Sequence, residues 1–266
     1  MDIERLESLL GPSAASLSGE VRLFDEIDST NAEALRRVKK GQSETGLLIA
    51  KTQTAGRGRR GREWLSPDQA GLYFSFYKFF DLPAESLQAL SLVTALSVQS
   101  ALEKAAIKNL QLKWPNDLLH EKKKLAGILL ELNTKEGRNC LVFGIGINLT
   151  LPQETARQID RPVTDLSSIA DELPEVELLL AGIINSLCEN LQIFEAKGFQ
   201  PFTQQWNKLD CYINHDIVIE SAGSRTIGKS LGVDNTGALV LNTAAGEKLI
   251  SGGEIFPSLR EVTAQK

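Results

Sequence analysis

Apolar residues recur along this chain at two spacings, and each change of spacing marks an element. Val21–Ile27 reads as a strand. Asp28 to Asn31 then opens a helix that should run to about Lys40, with lysines in its last turn and Gly41 just past its end. Thr30 and Glu33 have the spacing of a capping box, in which each side chain satisfies an orphan helix N–H. Residues 47–51 form a short apolar strand. In residues 72–79, Leu72, Phe74 and Phe76 alternate with Tyr73, Ser75 and Tyr77, the period of two of a pleated strand. Residues 86–106 place Leu87, Leu90, Val93, Leu96 and Leu102 at helical spacing. A strand over 110–114 is stopped by Pro115, which has no N–H for a ladder. Residues 125–132 and 141–148 read as a hairpin across 133–139, residues 176–196 as a second long helix and 202–208 as a shorter one.

The pattern changes near residue 210. Short strands are predicted at 216–220, 224–232, 239–242 and 247–251, parted by turn signals such as Asp234-Asn235 with Gly237, and Gly246. That spacing predicts a small β-barrel. The chain thus divides into a leader (1–20), a large domain (21–210) and a small C-terminal domain (211–266). The large domain mixes hairpins with helices, so its class is α+β, a mixed sheet with flanking helices.

Composition narrows the function. With 266 residues, 42% of them hydrophobic and 24% charged, the chain can bury a sizeable core, which excludes disorder as its main state. Lys and Arg number 29 against 34 Asp and Glu; the net charge of −5 argues against a general nucleic-acid binder. Cys140, Cys188 and Cys211 are scattered and form no CxxC pair, so a reducing, cytoplasmic compartment is expected rather than a disulfide framework. With only His120 and His215 beside them, neither a zinc site nor Ser–His–Asp chemistry is expected. The first residues are polar and unlike a signal peptide. No run of about 18 uncharged apolar residues suggests a membrane helix.

The most informative segment is Gly56-Arg57-Gly58-Arg59-Arg60-Gly61-Arg62. Glycine permits close backbone approach, and arginine offers a permanently charged fork of donors suited to carboxylate and phosphate. The residues fit an anion clamp, a solvated basic turn or a nucleic-acid patch. Ordering seven residues costs about 7–14 kcal/mol of backbone entropy. Each charge-assisted hydrogen bond returns about 1.5–3 kcal/mol. A loop that orders around its ligand is therefore expected.

A second cluster, Lys113-Trp114-Pro115-Asn116-Asp117, follows a strand directly. Asp117 can hold Mg²⁺ or orient an amine, and the string is also good turn chemistry. Lys124 opens the apolar run Leu125-Ala126-Gly127-Ile128-Leu129, where it either reaches a phosphate or joins Lys122 and Lys123 as a solvated charge. Gly144 and Gly146 share one strand face, which leaves room for a flat ligand or for close strand packing.

Together these strings resemble the biotin protein ligase family. The resemblance runs from Asp28-Ser29-Thr30-Asn31 through Gln53-Thr54-Ala55-Gly56 and the arginine loop to Lys113–Asp117, Lys124–Leu129 and Gly144–Asn148. In the tail, Asp234, Gly237, Leu239 and Ser251-Gly252-Gly253-Glu254 look like that family's C-terminal barrel. The resemblance implies a catalytic domain of the class II aminoacyl-tRNA synthetase and biotin ligase kind. It implies that biotin and ATP, with Mg²⁺, form biotinyl-5′-AMP and pyrophosphate, and that biotin then passes to one lysine of a biotin carboxyl carrier domain. On that analogy Ser29, Thr30, Asn31, Gln53, Gly56, Arg57, Gly58 and Arg59 line the biotin site, over a floor of Gly127, Gly144 and Gly146. Arg57 meets the biotin carboxylate or the acyl-phosphate, Lys124 bridges carboxylate and α-phosphate, and Asp117 orients or deprotonates the carrier lysine. Arg59, Arg60, Arg62, Trp64, Lys113, Asn116 and Asn148 lie with the nucleotide.

Some family members carry a helix-turn-helix repressor domain. About 20 residues precede the catalytic domain here, too few for that motif, so no DNA partner is expected. A homodimer joined at sheet edges also fits the resemblance. Two other readings are a ligase for lipoate or octanoate, which lacks a matching binding string here, and a non-catalytic anion-binding module, which needs no second cluster.

Overall fold

The computed structural model describes residues 1–17, 20–135, 137–221 and 224–256. A seven-stranded mixed sheet organises the large domain. Its strands are β1 (Val21–Ile27), β2 (Gly46–Gln53), β3 (Gly71–Phe80), β4 (Leu110–Lys113), β5 (Asp117–His120), β6 (Lys123–Lys135) and β7 (Arg138–Asn148), in the order β1-β2-β3-β7-β6-β5-β4. The pair β1 and β2 is parallel and all the others are antiparallel.

The crossover between β1 and β2 carries α2 (Thr30–Lys39), after α1 (Ile3–Ser8) near the N-terminus. Ser29 is the N-cap of α2, accepting from the Ala32 N–H. The expected capping box does not form. Thr30 already lies inside the first turn and turns its hydroxyl to Gln53, while Glu33 pairs with Arg36 and Arg37. At the other end Gly41 has φ 105°, and the Gly41 and Gln42 N–H groups donate to Val38 and Arg37 carbonyls, a glycine-terminated Schellman close.

The sheet buries both faces, so β3 has no solvent side. Leu72, Phe74 and Phe76 join the large core, Tyr77 joins a small cluster under α2 with Ala34, Val38 and Val142, and Ser75 is fully buried. The large core lies under α3 (Leu90–Lys104) and α5 (Val176–Lys197), which pack on each other. The helix expected over 86–106 is thus shorter, entered by a 3-10 turn at Ala84–Ala89. By length and composition alone α5 could cross a membrane, a test that the core helix of a folded domain also passes. Ten of its side chains, from Leu179 to Phe194, are buried in the core, as in a core helix of a folded domain. The stretch expected to be a leader also packs inward, because Leu6, Ala14 and Leu17 are fully buried in the same core.

Beyond α4 (Gln153–Gln158) and α6 (Thr203–Leu209), the tail forms a five-stranded antiparallel sheet. Its strands β8 (Asp216–Ser221), β9 (Ser224–Val233), β10 (Leu239–Thr243), β11 (Gly246–Ile250) and β12 (Glu254–Phe256) run in the order β11-β10-β9-β8-β12. The four expected strands are present; β12 is an addition, and pairing that would close β11 onto β12 as a barrel is not seen among the described residues. Residues 257–266 of the expected small domain lie outside the described residues. Ile217, Ile219, Leu239 and Leu241 belong to the same core as the large sheet, and Trp114 Nε1 donates to the Gly237 carbonyl at 3.3 Å. The small sheet is therefore held against the end of the large one that carries the second cluster.

Candidate active site

Polar residues from α2, β2, β3, β6 and the segment between β2 and β3 meet on the α2 side of the sheet. The Thr30 N–H donates to Gln53 Oε1 at 2.9 Å, and Thr30 Oγ1 donates to the same oxygen at 3.1 Å. Gln53 Nε2 donates to Ser66 Oγ at 2.9 Å. Ser75 Oγ lies 2.7 Å from Thr30 Oγ1 and 2.5 Å from Asn31 Oδ1. Asn31 Nδ2 donates to Glu131 Oε2 at 2.9 Å, and Glu131 Oε1 pairs with Arg57 at 2.8 Å. These bonds make one chain from Ser66, across the pocket base, to the arginine loop. Buried polar groups pay for their desolvation only when partnered in this way.

The glycines make the space. Gly127 and Gly146 stand directly opposite each other on β6 and β7, as do Leu129 and Gly144. A Cβ at Gly146 would lie 2.5 Å from Trp64 Cε2, one at Gly127 2.8 Å from Trp64 Cζ3 and 2.9 Å from Lys124 Nζ, and one at Gly144 would collide with Asn31 Oδ1. The Trp64 ring therefore rests on the Gly127–Gly146 pair. Sequence reasoning placed the glycines with one ligand and Trp64 with the other; the structure puts them in contact, so Trp64 divides the cleft in two.

On one side is a small cavity lined by Ser29, Thr30, Asn31, Gln53, Arg57, Gly58, Arg59, Lys124, Gly127, Gly144 and Gly146. On the other is a wider one, lined by Arg59, Arg62, Asn116, Asp117, Lys124, Asn148 and the 158–163 segment. Trp64, Gly58, Arg59, Asn116 and Lys124 border both. Gly56, expected to line the first cavity, does not; a Cβ there would collide with the Trp64 carbonyl.

Two cations and one carboxylate stand where the cavities join. Lys124 Nζ lies 2.7 Å from Asp117 Oδ1 and 5.1 Å from the Trp64 ring centre. Arg59 donates to Asn116 Oδ1 at 3.2 Å and to the Gly253 carbonyl at 3.0 Å, and burial lowers its pKa. Lys113, expected with the nucleotide, lines neither cavity. It sits behind Asp117, its Nζ 5.7 Å from the Tyr212 ring centre, and burial lowers its pKa.

The arginine loop is fastened to the small sheet. Arg60 pairs with Glu254 at 3.4 Å and donates to the Glu220 carbonyl at 3.0 Å, so it faces away from both cavities. Arg62 also pairs with Glu254 and is raised in pKa by that contact. Burial pushes Glu254 up, but Arg62 and Arg60 together hold it below its ordinary value.

Sequence reasoning missed Glu131, Glu254 and Arg161 as site residues. Glu131 had a readable signal, a carboxylate in an apolar strand two residues beyond Leu129 and four beyond Gly127, on the same face. Glu254 lay in a quoted string but without a partner. Arg161 had no signal; it enters because the 162–164 backbone clasps Lys124, whose N–H donates to the Pro162 carbonyl and whose carbonyl accepts from Thr164, each at 3.0 Å.

Residues 23–148 match the Biotin/lipoate A/B protein ligase family, and residues 212–256 match the biotin protein ligase C-terminal domain. The chain is 37% identical over 244 residues to the bifunctional ligase/repressor BirA of Escherichia coli strain K12, covering 89% of this chain and 74% of that protein. It is 35% identical over 245 residues to a biotin–[acetyl-CoA-carboxylase] ligase of Paracoccus denitrificans, covering 88% of this chain and 99% of that one. The solved structure of the Aquifex aeolicus biotin protein ligase in complex with biotin and ATP is similar at a TM-score of 0.74 and 32% identity, covering 89% of this chain and 97% of that one. With the glycine floor, the arginine loop and the lysine–aspartate pair in one cleft, and relatives of this likeness over most of their length, the chain belongs to the biotin protein ligase family.

Proposed function

We propose that this chain joins biotin to ATP, making biotinyl-5′-AMP and pyrophosphate, and then transfers biotin to a lysine of a biotin carboxyl carrier domain. The observation that carries the reading is the cleft divided by Trp64. One half is narrow, glycine-floored and polar at its base; the other is wide and lined by charged side chains of both signs, Arg59, Arg62, Lys124 and Arg161 among them; Lys124 and Arg59 stand at the join.

In the first step the biotin carboxylate attacks the α-phosphorus of ATP, and pyrophosphate leaves. The nucleophile belongs to the substrate, so the protein needs charge and alignment rather than a nucleophile of its own. Carboxylate and triphosphate repel each other. Arg57, Arg59, Arg62 and Lys124 offset that repulsion as fixed cations aimed at the reacting groups. In the second step the carrier lysine attacks the acyl carbon and AMP leaves. Asp117, at the join, orients that amine and takes its proton. The acyl-adenylate hydrolyses readily, and the loop from Gly56 to Arg62, fastened through Glu254, shields it.

Mg²⁺ accompanies the triphosphate. No group of three or more His, Cys, Asp or Glu side chains able to hold a metal is found among the described residues. Mg²⁺ commonly uses one or two carboxylates together with substrate phosphates; Asp117, a carboxylate bordering the wider cavity, would hold it there. The ion would neutralise charge on the phosphates.

The free thiols Cys140, Cys188 and Cys211 support a reducing compartment such as the cytoplasm. The overall charge of −5, with cations gathered at the cleft, supports small anions rather than DNA as ligands. The outer strand β1 of the large sheet is a place where a second copy of the chain can add, whereas β4 is already bridged by the chain at Asp210 and Cys211; sedimentation of the purified protein decides whether a dimer forms.

The test is ATP–pyrophosphate exchange by the purified chain with biotin, lipoate, octanoate or no acid. Exchange with biotin alone is expected. Exchange with lipoate or octanoate instead keeps the cleft and replaces the substrate. No exchange with any acid overturns the reading.

A further inference from the structure

The strand face that carries the glycine floor also carries a carboxylate that the two steps above do not use. Glu131 Oε1 lies 2.8 Å from Arg57 Nη2, and its Oε2 accepts from Asn31 Nδ2 at 2.9 Å. The pair is lopsided: the Arg57 side chain is 48% exposed and that of Glu131 only 19%. Glu131 is fixed from below, and Arg57 is the partner with room to move.

We propose that Glu131 is a positioning residue that competes with the substrate carboxylate for Arg57. This rests on the reading of Arg57 as the arginine that meets the biotin carboxylate. A guanidinium takes one carboxylate side-on through its fork of donors. An acid that reaches Arg57 must share it with Glu131 or displace Glu131 from it. Either way the acid meets a cation whose charge is partly balanced already, so the ionised acid is held less tightly than by an unpaired arginine. Weak binding of the ground state suits the chemistry, because the carboxylate loses its charge when it becomes an acyl phosphate. The second oxygen of Glu131 keeps its bond to Asn31, whose Oδ1 is braced by Ser75. Releasing Arg57 therefore leaves the pocket base in place.

The test is Glu131→Gln, which keeps an oxygen for Asn31 and removes the charge. Calorimetry would compare biotin with its neutral alcohol, biotinol, in the absence of ATP. The variant should bind biotin about three- to fivefold tighter, the size of a half-exposed ion pair, and biotinol with unchanged affinity. In an Arg57→Ala background the same substitution should leave biotin affinity unchanged. Equal or weaker biotin binding by Glu131→Gln, an equal gain for biotinol, or a gain that survives Arg57→Ala each overturns the proposal while leaving the biotin reading intact. Failure of the wild-type protein to bind either ligand overturns the biotin reading itself.

Discussion

Lys124 and Asp117 form an ion pair 2.7 Å long, with side chains only 14% and 12% exposed, across a β-bulge between β5 and β6. Asp117 is opposite Gly127, but Leu119 is opposite Lys124, so Leu125 is the extra residue. In a regular strand residues 124 and 127 face opposite sides of the sheet. The bulge re-aims the lysine so that its Nζ reaches the Gly127 side of β6. Asp117 and the Trp64 face then hold it at the join of the two cavities.

Lys124→Ala should lower biotin-dependent ATP–pyrophosphate exchange by about 10²–10³, as for loss of one preorganised donor to a developing charge. Asp117 carries a different step. With adenylate supplied ready-made, Asp117→Asn should slow transfer to the carrier domain by about 10²-fold, the low end of general-base catalysis. A near-normal exchange rate for Lys124→Ala would remove it from the chemistry.

Gly144→Ala sets a methyl group against Asn31 Oδ1. Asn31 can yield only by leaving Ser75 or Glu131. Overpacking of this kind costs about 1–3 kcal/mol, and biotin affinity should fall with stability. Urea unfolding and biotin titration of one preparation check both. An unchanged biotin affinity would show that Asn31 does not shape the pocket.

Glu254→Gln releases Arg60 and Arg62 from the small sheet. Each pair is partly exposed and worth at most about 1 kcal/mol, so global stability should barely change. Limited proteolysis between Arg57 and Arg62 should become faster in the variant, and ATP with biotin should slow it again. Identical cleavage in variant and wild type would mean that the clasp does not order the loop.

Asp210 lies outside the cleft at the junction with the small sheet. Its Oδ1 accepts the Tyr212 N–H at 2.9 Å, and burial pushes its carboxyl up to about 6 from 3.8. Between about pH 4 and pH 6 the folded chain keeps a proton that the unfolded chain has released. Stability from this group is therefore present at low pH and lost as pH rises through that window, by about 3 kcal/mol. Unfolding midpoints measured from pH 4 to pH 7 should show this fall relative to Asp210→Asn. Parallel curves for the two proteins would show that Asp210 does not titrate there.

Local spacing made much of this chain readable. The strand Val21–Ile27, the helix from Val176 and the hairpin of β6 and β7 follow from periods of 2 and 3.6, because one buried face imposes one period. The arginine loop, the Lys124 run and the paired glycines were legible as chemistry, because few other reasons gather four arginines or two facing glycines within seven residues. The strand β5 was not legible: four residues carry too little pattern, and the turn from it into β6 uses Glu121 and Lys122 at positive φ rather than glycine. Nor was the first helix, since Leu6 and Leu17 find their core among residues far along the chain. Contacts between distant segments settled the site itself. Trp64 rests on Gly127 and Gly146, Glu131 holds Arg57, and Glu254 holds Arg60 and Arg62, at separations of 63 to 194 residues. A sequence records which side chains can pair. Which of them do is decided by strand register, by one bulge and by the docking of the small sheet, and these exist only once the chain has folded.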